Sequence, residues 1–405
     1  MSELESFRAE VRAWLERNCP ISMRTPLPSN EVVWGGRHEK FVNPEARLWL
    51  ERMVERGWTV PRWPKQYSGA GLDAAHEQVL SEELKRIDAR PPLIAFPLWM
   101  LGPALLEFAN EEQKQFHLPR IARGEIRWCQ GYSEPGAGSD LAAVQTRAED
   151  RGDHYLVNGS KIWTSYADKS DWMFCLVRTD PSVRKQEGIG FLLIDMQSPG
   201  ISVAPIRLIS GASPFCQVFL ADVKVPKNQL VGRPNQGWSI AKRLLEYERK
   251  WFSELDQSRI GHIVGVGGAN VALPALAKEY LGERAGRIAD ESIRAELIAH
   301  DIDEMALQAT LLRVDEQARA SGVDDGRMAS VFKYYGAKLY KERHELMMSI
   351  MGTRALGWQG EPFTPAELDI TRHWLRSKGN SIEGGTSEIQ LDIIAKRLLD
   401  LPDPV

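Results

Sequence analysis

The sequence predicts an α+β protein in three parts: helical, then stranded, then helical again. Two patterns carry that prediction. Apolar residues recur at helical spacing up to about residue 125 and again beyond Gly237. Between Ile126 and about Val231 they alternate with period two. The expected domains are therefore 1–125, 126–236 and 237–405.

In the first part, Phe7, Val11 and Leu15 repeat every four residues, as on one helical face. Ala46–Met53 and Ala74–Ile87 show helical spacing, and Trp99–Phe108 supplies an apolar stripe. Proline and glycine punctuate these segments, most densely between Val60 and Gly71. In the second part, strands are expected at Trp172–Val177, Ile189–Ile194, Ile201–Ile206 and Gln217–Val225. Tyr155 and Val157 followed by Asn158-Gly159 read as a type I′ hairpin. Several short strands bounded by turns predict a β-barrel or sandwich. The third part is helical, with breaks near Gly322–Gly326 and Gly352–Pro365.

At 405 residues the chain can bury a core without covalent staples. Its 43% hydrophobic and 26% charged content argues against disorder. A net charge of −4 argues against a broad nucleic-acid footprint, though local basic clusters could receive a phosphorylated cofactor. Cys19, Cys129, Cys175 and Cys216 are scattered, which suits a reducing compartment. Met1 to Arg17 is of mixed charge and reads as an amphipathic helix, not an address. The apolar stretch from Pro91 to Leu106 is broken by prolines and falls short of the ~20 residues a membrane span needs. A cytoplasmic protein with no metal site is the expectation.

Chemistry concentrates in four segments. Ser133-Glu-Pro-Gly-Ala-Gly-Ser-Asp140 is a loop whose backbone N–H groups could approach a phosphate; Gly136 and Gly138 can adopt positive φ, and Ser133 and Ser139 add uncharged donors. Alone, it could equally be a surface turn. The second and third segments are Gly159-Ser-Lys-Ile-Trp-Thr-Ser165 and Gly384-Gly-Thr-Ser-Glu-Ile-Gln390. In the last of these, Ser387-x-x-Gln390 reads as a helix capping box. The fourth is Leu244-Leu-Glu-Tyr-Glu248-Arg249-Lys-Trp-Phe252. Glu248 is four residues from Leu244 and Phe252 and seven from Leu255, so a carboxylate interrupts an apolar stripe. Glu246 and Lys250 read as a solvated pair. A carboxylate on a buried face should have its pKa raised, as a base working near neutral pH requires; pairing with a buried arginine is the other reading.

In the same order, the glycine-rich, tryptophan and C-terminal segments resemble those of the acyl-CoA dehydrogenase family, and the resemblance spans nearly the whole chain. Trp128-Cys-Gln-Gly-Tyr-Ser-Glu-Pro135 and Trp172-Met-Phe-Cys-Leu-Val-Arg-Thr-Asp180 also resemble the large subunit of pimeloyl-CoA-type dehydrogenases. The resemblance implies a helical domain and a β-domain packed on a C-terminal four-helix bundle. It implies FAD as cofactor and an acyl-CoA as substrate, oxidised across Cα–Cβ to the trans-2-enoyl-CoA. Gln130, Tyr132 and Ser133 would lie along the flavin ring edge, and Gly138 and Ser139 near the pyrophosphate. Trp163 would cover one ring face and Ser165 would lie near N5. Thr386 and Glu388 would also bind cofactor, and Ser139 and Arg249 would contact substrate.

Many members of the family carry the catalytic Glu where this chain has Gly384. Glu383 is one residue early, and such a displacement in a tight turn re-aims a side chain. A branch of the family places its base on a bundle helix, before an arginine, which points to Glu248. The Gly384 amide would still help hold the thioester carbonyl. Two flavin elements usually lent by a neighbouring subunit are poorly matched, at Leu281-Gly-Glu-Arg-Ala-Gly-Arg-Ile288 and Ser349-Ile-Met-Gly-Thr353. The implied partners are an electron-transfer flavoprotein as acceptor, and either further copies of the chain or a homologous subunit. A non-catalytic partner subunit is the competing reading, and an oxidase or flavin monooxygenase on the same fold a third.

Overall fold

The computed structural model describes residues 2–254, 271–321, 326 and 328–402, with the side chains of 249–254, 315 and 319 outside that description. The chain forms two compact units, one from residues 1–206 and 213–248, the other from 207–212 and 249–405.

The first unit begins with helices whose starts are written in their caps. α1 (Glu3–Asn18) opens on a capping box in which the Ser2 hydroxyl accepts from the Glu5 amide and the Glu5 carboxylate accepts from the Ser2 amide. Val11 and Leu15 are fully buried on its inner face. α2 (Pro44–Glu55) and α3 (Ala74–Arg86) are capped by Asn43 and Asp73. Three further helices follow: α4 (Phe96–Trp99), α5 (Leu101–Phe108) and α6 (Glu111–Ala122).

Seven strands then join in one sheet: β1 (Trp128–Gly131), β2 (Arg147–Asp150), β3 (His154–Ser165), β4 (Trp172–Arg178), β5 (Ile189–Asp195), β6 (Ile201–Ile206) and β7 (Phe215–Pro226). β4 is buried on both faces along its whole length, as its continuous apolar sequence requires. β5 pairs with one edge of β4, while β1 and β2 pair in succession along the other. β3, β7 and β6 complete the sheet by antiparallel pairing. One sheet face carries Trp128, Phe174, Leu176 and Phe191 into a core shared with Leu105 and Leu118 of the helices. The other face buries Met173, Cys175, Leu192 and Val218.

Asn158-Gly159 is not a hairpin turn. β3 runs straight through it, and the turn between β2 and β3 lies at Gly152 (φ +93°). Gly159 (φ +153°) instead forms an irregularity against β7, where Asn158 and Asp222 exchange two hydrogen bonds. A Cβ on Gly159 would lie 2.5 Å from Thr146 Oγ1, so close backbone approach explains the glycine. β2 escapes the sequence pattern because its Arg-Ala-Glu-Asp sequence has hardly any apolar residue to alternate.

α7 (Gly237–Glu254) follows the sheet, and in the first unit its Ile240, Ala241 and Leu244 join the core beneath β4. The second unit contains α8 (Leu273–Leu281), α9 (Glu291–Ser321), α10 (Ala329–Met351), α11 (Pro365–Ser377) and α12 (Ser387–Ile393). α10 is its central element and touches the other four. Leu273, Leu276, Leu297, Met347, Ile350 and Ile370 form its core. Between α8 and α9 lies a hairpin the sequence pattern does not reveal, β8 (Glu283–Arg284) with β9 (Arg287–Ile288). Its turn residues, Ala285 and Gly286, both have positive φ. The break expected at 322–326 lies mostly outside the described residues.

Candidate active site

The loop that leaves β1 is stapled from below. The Glu134 amide donates to the Ala137 carbonyl and the reverse bond closes the turn, both at 3.0 Å. The buried Glu134 carboxylate accepts from the amides of Gln145 (2.6 Å) and Thr146 (2.9 Å) and from Lys161 Nζ (2.7 Å). Lys161, whose side chain is fully buried, also donates to the Tyr132 carbonyl, and the Ile162 amide donates to the Ser133 carbonyl. Burial alone would push the Glu134 carboxyl up, but the Lys161 charge and these hydrogen bonds outweigh it and hold the group below its ordinary value.

With its base fixed, the loop presents Pro135, Gly136, Gly138, Ser139 and Asp140 to solvent. Gly136 and Gly138 do not adopt the positive φ that their flexibility allows. Their role is space: a Cβ at either position would meet nothing within 4 Å, so the loop surface stays low and open.

Lys161 and Trp163 point opposite ways. The β3–β7 register shifts between Lys161 and Thr164, and Trp163 takes φ +59°, a strained conformation for a bulky residue. Its ring is 54% exposed and stands edge-on to Phe215, with centroids 6.2 Å apart. A core-filling tryptophan would be buried and unstrained; this one is held outward. Gln130, Ser133 and Ser165 are half-buried around the same strands. The Tyr132 side chain turns into the core, which leaves its backbone on the loop side. It meets Phe174 and Phe191 edge-on, at 5.9 and 6.4 Å between centroids.

Glu248 lies one turn beyond Leu244 and two beyond Ile240, both fully buried. It is half-buried, with Oε2 shielded from solvent. Burial raises the Tyr132 phenol well above its ordinary value, and the Glu248 charge adds to that. The first half of α7 is anchored to α5: Arg243 pairs with Glu107 at 3.0 Å, and the Tyr247 hydroxyl donates to the same carboxylate at 2.9 Å. Glu246 pairs with Arg243 at 2.9 Å; its expected partner Lys250 has a side chain outside the described residues. The side chains of Arg249, Lys250 and Phe252, and all of Leu255, lie outside the described residues.

In the second unit, Glu383 is engaged by Arg376 at 2.8 Å. Gly384 (φ +63°) and Gly385 (φ +95°) make a left-handed turn that few side chains tolerate. The Gly384 carbonyl accepts from Gln390 Nε2 at 3.0 Å, and the Gly385 carbonyl from Lys333 Nζ at 2.5 Å. The capping residue is Thr386, whose hydroxyl accepts from the Ile389 amide, so α12 starts one residue earlier than the expected box. Gln390, assigned to that box, reaches back to the turn. Thr386, Ser387 and Glu388 line a pocket of about 410 Å³ with Tyr334, Lys338 and Lys341.

Sequence reasoning missed the Glu134–Lys161 pair, although two charges in segments otherwise destined for burial were a usable signal. The pocket lysines gave none, since exposed lysines at helical spacing are ordinary.

The order helix, sheet, helix, with a stapled glycine loop and an outward tryptophan on the sheet, agrees with the class that comparison with known proteins gives: an oxidoreductase of flavoprotein type. The chain belongs to the acyl-CoA dehydrogenase family. Residues 1–125 match the family's N-terminal domain, 129–223 its middle domain and 235–399 its C-terminal domain. It is 34% identical over 403 residues to the acyl-CoA dehydrogenase IpdE1 of Mycobacterium tuberculosis, covering 99% of each chain. Among solved structures it is similar to the Tcur3481–Tcur3483 steroid acyl-CoA dehydrogenase (TM-score 0.73, 27% identity, 99% of this chain and 98% of that one). It is also similar to the ChsE4–ChsE5 complex of Mycobacterium tuberculosis (TM-score 0.71, 27% identity, 100% and 99%). Among the described residues no helix is long and apolar enough to cross a membrane.

Proposed function

We propose that this chain oxidises an acyl-CoA thioester to its trans-2-enoyl-CoA with FAD, using Glu248 to remove the α-proton. One observation carries the reading. Glu248 continues the buried Ile240–Leu244 face of α7 and is itself half-buried with Oε2 shielded from solvent, so a carboxylate stands where the pattern calls for an apolar side chain. A carboxylate taken partly out of water there can act as a general base.

The residues present fit a flavin. Trp163 offers a flat, solvent-facing ring fixed by its backbone, and Gly136 and Gly138 leave the loop surface open. Trp163, Gln130, Ser133 and Ser165 would hold the ring system, Tyr132 would contribute only backbone, and Gly138 and Ser139 would meet the pyrophosphate. Thr386 and Glu388 would contribute from their pocket. FAD, when bound, supplies the acceptor for the β-hydrogen and its electron pair. The Gly384 amide would hold the thioester carbonyl, and Arg249 and Ser139 would contact the substrate.

The test is anaerobic bleaching of the purified flavoprotein by butyryl-, isovaleryl-, palmitoyl- and steroid-side-chain-CoA. The bulky members should bleach it, and electron-transfer flavoprotein should reoxidise it faster than O2. Glu248→Gln should keep the flavin absorption and bleach about 10²- to 10⁴-fold more slowly. Full activity in that variant removes the base assignment.

The second reading is a non-catalytic subunit that completes a homologous partner. Gly384 at the usual base position favours it, as does the β8–β9 hairpin where the family has its Arg-x-x-Phe-Gly element. Both similar solved structures are named as two-component proteins. A colourless chain that binds a flavin-loaded homologue would decide for it.

A further inference from the structure

α9 carries a histidine whose second nitrogen packing leaves unused. The His300 side chain is 5% exposed, and Nε2 lies 3.3 Å from the Leu339 carbonyl on α10. A carbonyl oxygen only accepts, so Nε2 bears the proton, and in the neutral ring Nδ1 keeps its lone pair. Nδ1 is shielded from solvent and has no hydrogen-bond partner. A buried acceptor in that state bears a desolvation cost that a ligand would relieve.

The groups gathered around this nitrogen are acidic. Glu304, one turn on, brings Oε2 to 3.9 Å from Nδ1. One ring nitrogen of His300 and one oxygen each from Asp301 and Glu304 lie within 4.8 Å of one another. Among the described residues this is the one place where three such side chains converge. Asp303, the remaining acid of this turn, is engaged by Lys338 at 3.6 Å. A plain His300–Glu304 ion pair would need a proton on Nδ1 and would give Asp301 no part. Two carboxylates held this close to a lone pair are unfavourable unless a cation joins them.

We propose that His300 Nδ1, Asp301 and Glu304 bind a divalent transition-metal cation of the Zn2+ class. The donor set decides the class: imidazole nitrogen suits Zn2+, Co2+ and Ni2+, whereas Mg2+ and Ca2+ take oxygen. Metal–ligand bonds are about 2.0–2.2 Å long, and the two exposed carboxylates close the set by rotating toward the buried nitrogen. Three protein ligands leave a position for water. The hydrogen bond from Nε2 to Leu339 is the outer support that metal-binding histidines ordinarily have, fixing ring orientation and tautomer. The inference is independent of the dehydrogenase reading, since it uses no residue of that site.

Calorimetric titration of ZnCl2 into the purified, untagged full chain, stripped of metal by chelation, tests it. One Zn2+ should bind per chain and raise the thermal midpoint, and Mg2+ should do neither. Asp301→Asn and Glu304→Gln change exposed groups, so each should keep the metal-free thermal midpoint and weaken Zn2+ binding about 10-fold or more. Asp303→Asn should bind as wild type does. Co2+ in place of Zn2+ should give visible absorption bands that His300→Gln alters, which reports nitrogen in the set. If His300→Gln does not fold, the carboxylate variants carry the test alone. Absence of saturable binding at millimolar Zn2+, equal binding of Mg2+, or wild-type affinity in either Asp301→Asn or Glu304→Gln overturns the proposal.

Discussion

Lys161 shows how much a single buried charge can organise. Its ammonium joins the Glu134 carboxylate and the Tyr132 carbonyl, fixing the start of the loop to β3 in a place without solvent. Removing one partner leaves the other charged and buried, which is costlier than removing both. Lys161→Met should therefore destabilise the protein by about 3–5 kcal/mol in urea unfolding, with loss of flavin. The double change Lys161→Met/Glu134→Leu should recover part of that stability without restoring flavin binding. If the single variant unfolds at the wild-type urea concentration, the staple is not structural. At this scale the sequence was legible where chemistry is local: the glycines, Trp163 and Glu248 stand out by type and spacing. The outward turn of Trp163 and the inward turn of Tyr132 were not, because a β-bulge and a packed aromatic cluster set them through contacts distant in sequence.

Between elements, ion pairs and close backbone contacts replace the hydrophobic pattern as the deciding force. Glu83 on α3 accepts from Arg8 and Arg12 of α1 and from Arg86. The hydrogen bond from Arg12, helped by Arg86 and Arg8, outweighs burial and lowers the Glu83 pKa to about 2. The folded value lies below the unfolded 4.5, so the stabilisation is complete above pH 4.5 and is lost as pH falls from 4.5 toward 2. The exposed arginines are screened, which leaves a contribution on the order of 2 kcal/mol. Urea midpoints taken between pH 7 and 2.5 should fall more steeply for wild type than for Glu83→Gln; parallel curves would refute the linkage. Gly159→Ala should cost about 2 kcal/mol or more, since its Cβ would strike Thr146 across the sheet. Asn158-Gly159 misleads as a sequence signal because the dipeptide suits any left-handed or crowded backbone site, and here the crowding lies mid-strand.

Across the whole chain, the change of period from helix to strand and back was legible, since each part must bury its own face. What lay beyond that signal was any surface suited to a contact outside the chain. α9 is the clearest case. Ile298, Ile302, Met305 and Leu312 are 54%, 60%, 71% and 63% exposed, and with Ala309 they follow alternating steps of four and three. That spacing would suit the seam of another helix, and a stripe of this length left in water is unfavourable. The expected occupant is a second copy of the chain, whose own α9 offers the same seam about a two-fold axis. Light scattering should give the chain a mass that is a multiple of 45.7 kDa. Ile302→Glu with Met305→Glu places charge where the single chain already faces water, so helicity and thermal unfolding of the separated chains should change little. The mass, however, should drop. A wild-type mass in the double variant removes α9 from the interface, and a monomeric wild type that assembles only with a homologous subunit would give the seam to that partner instead.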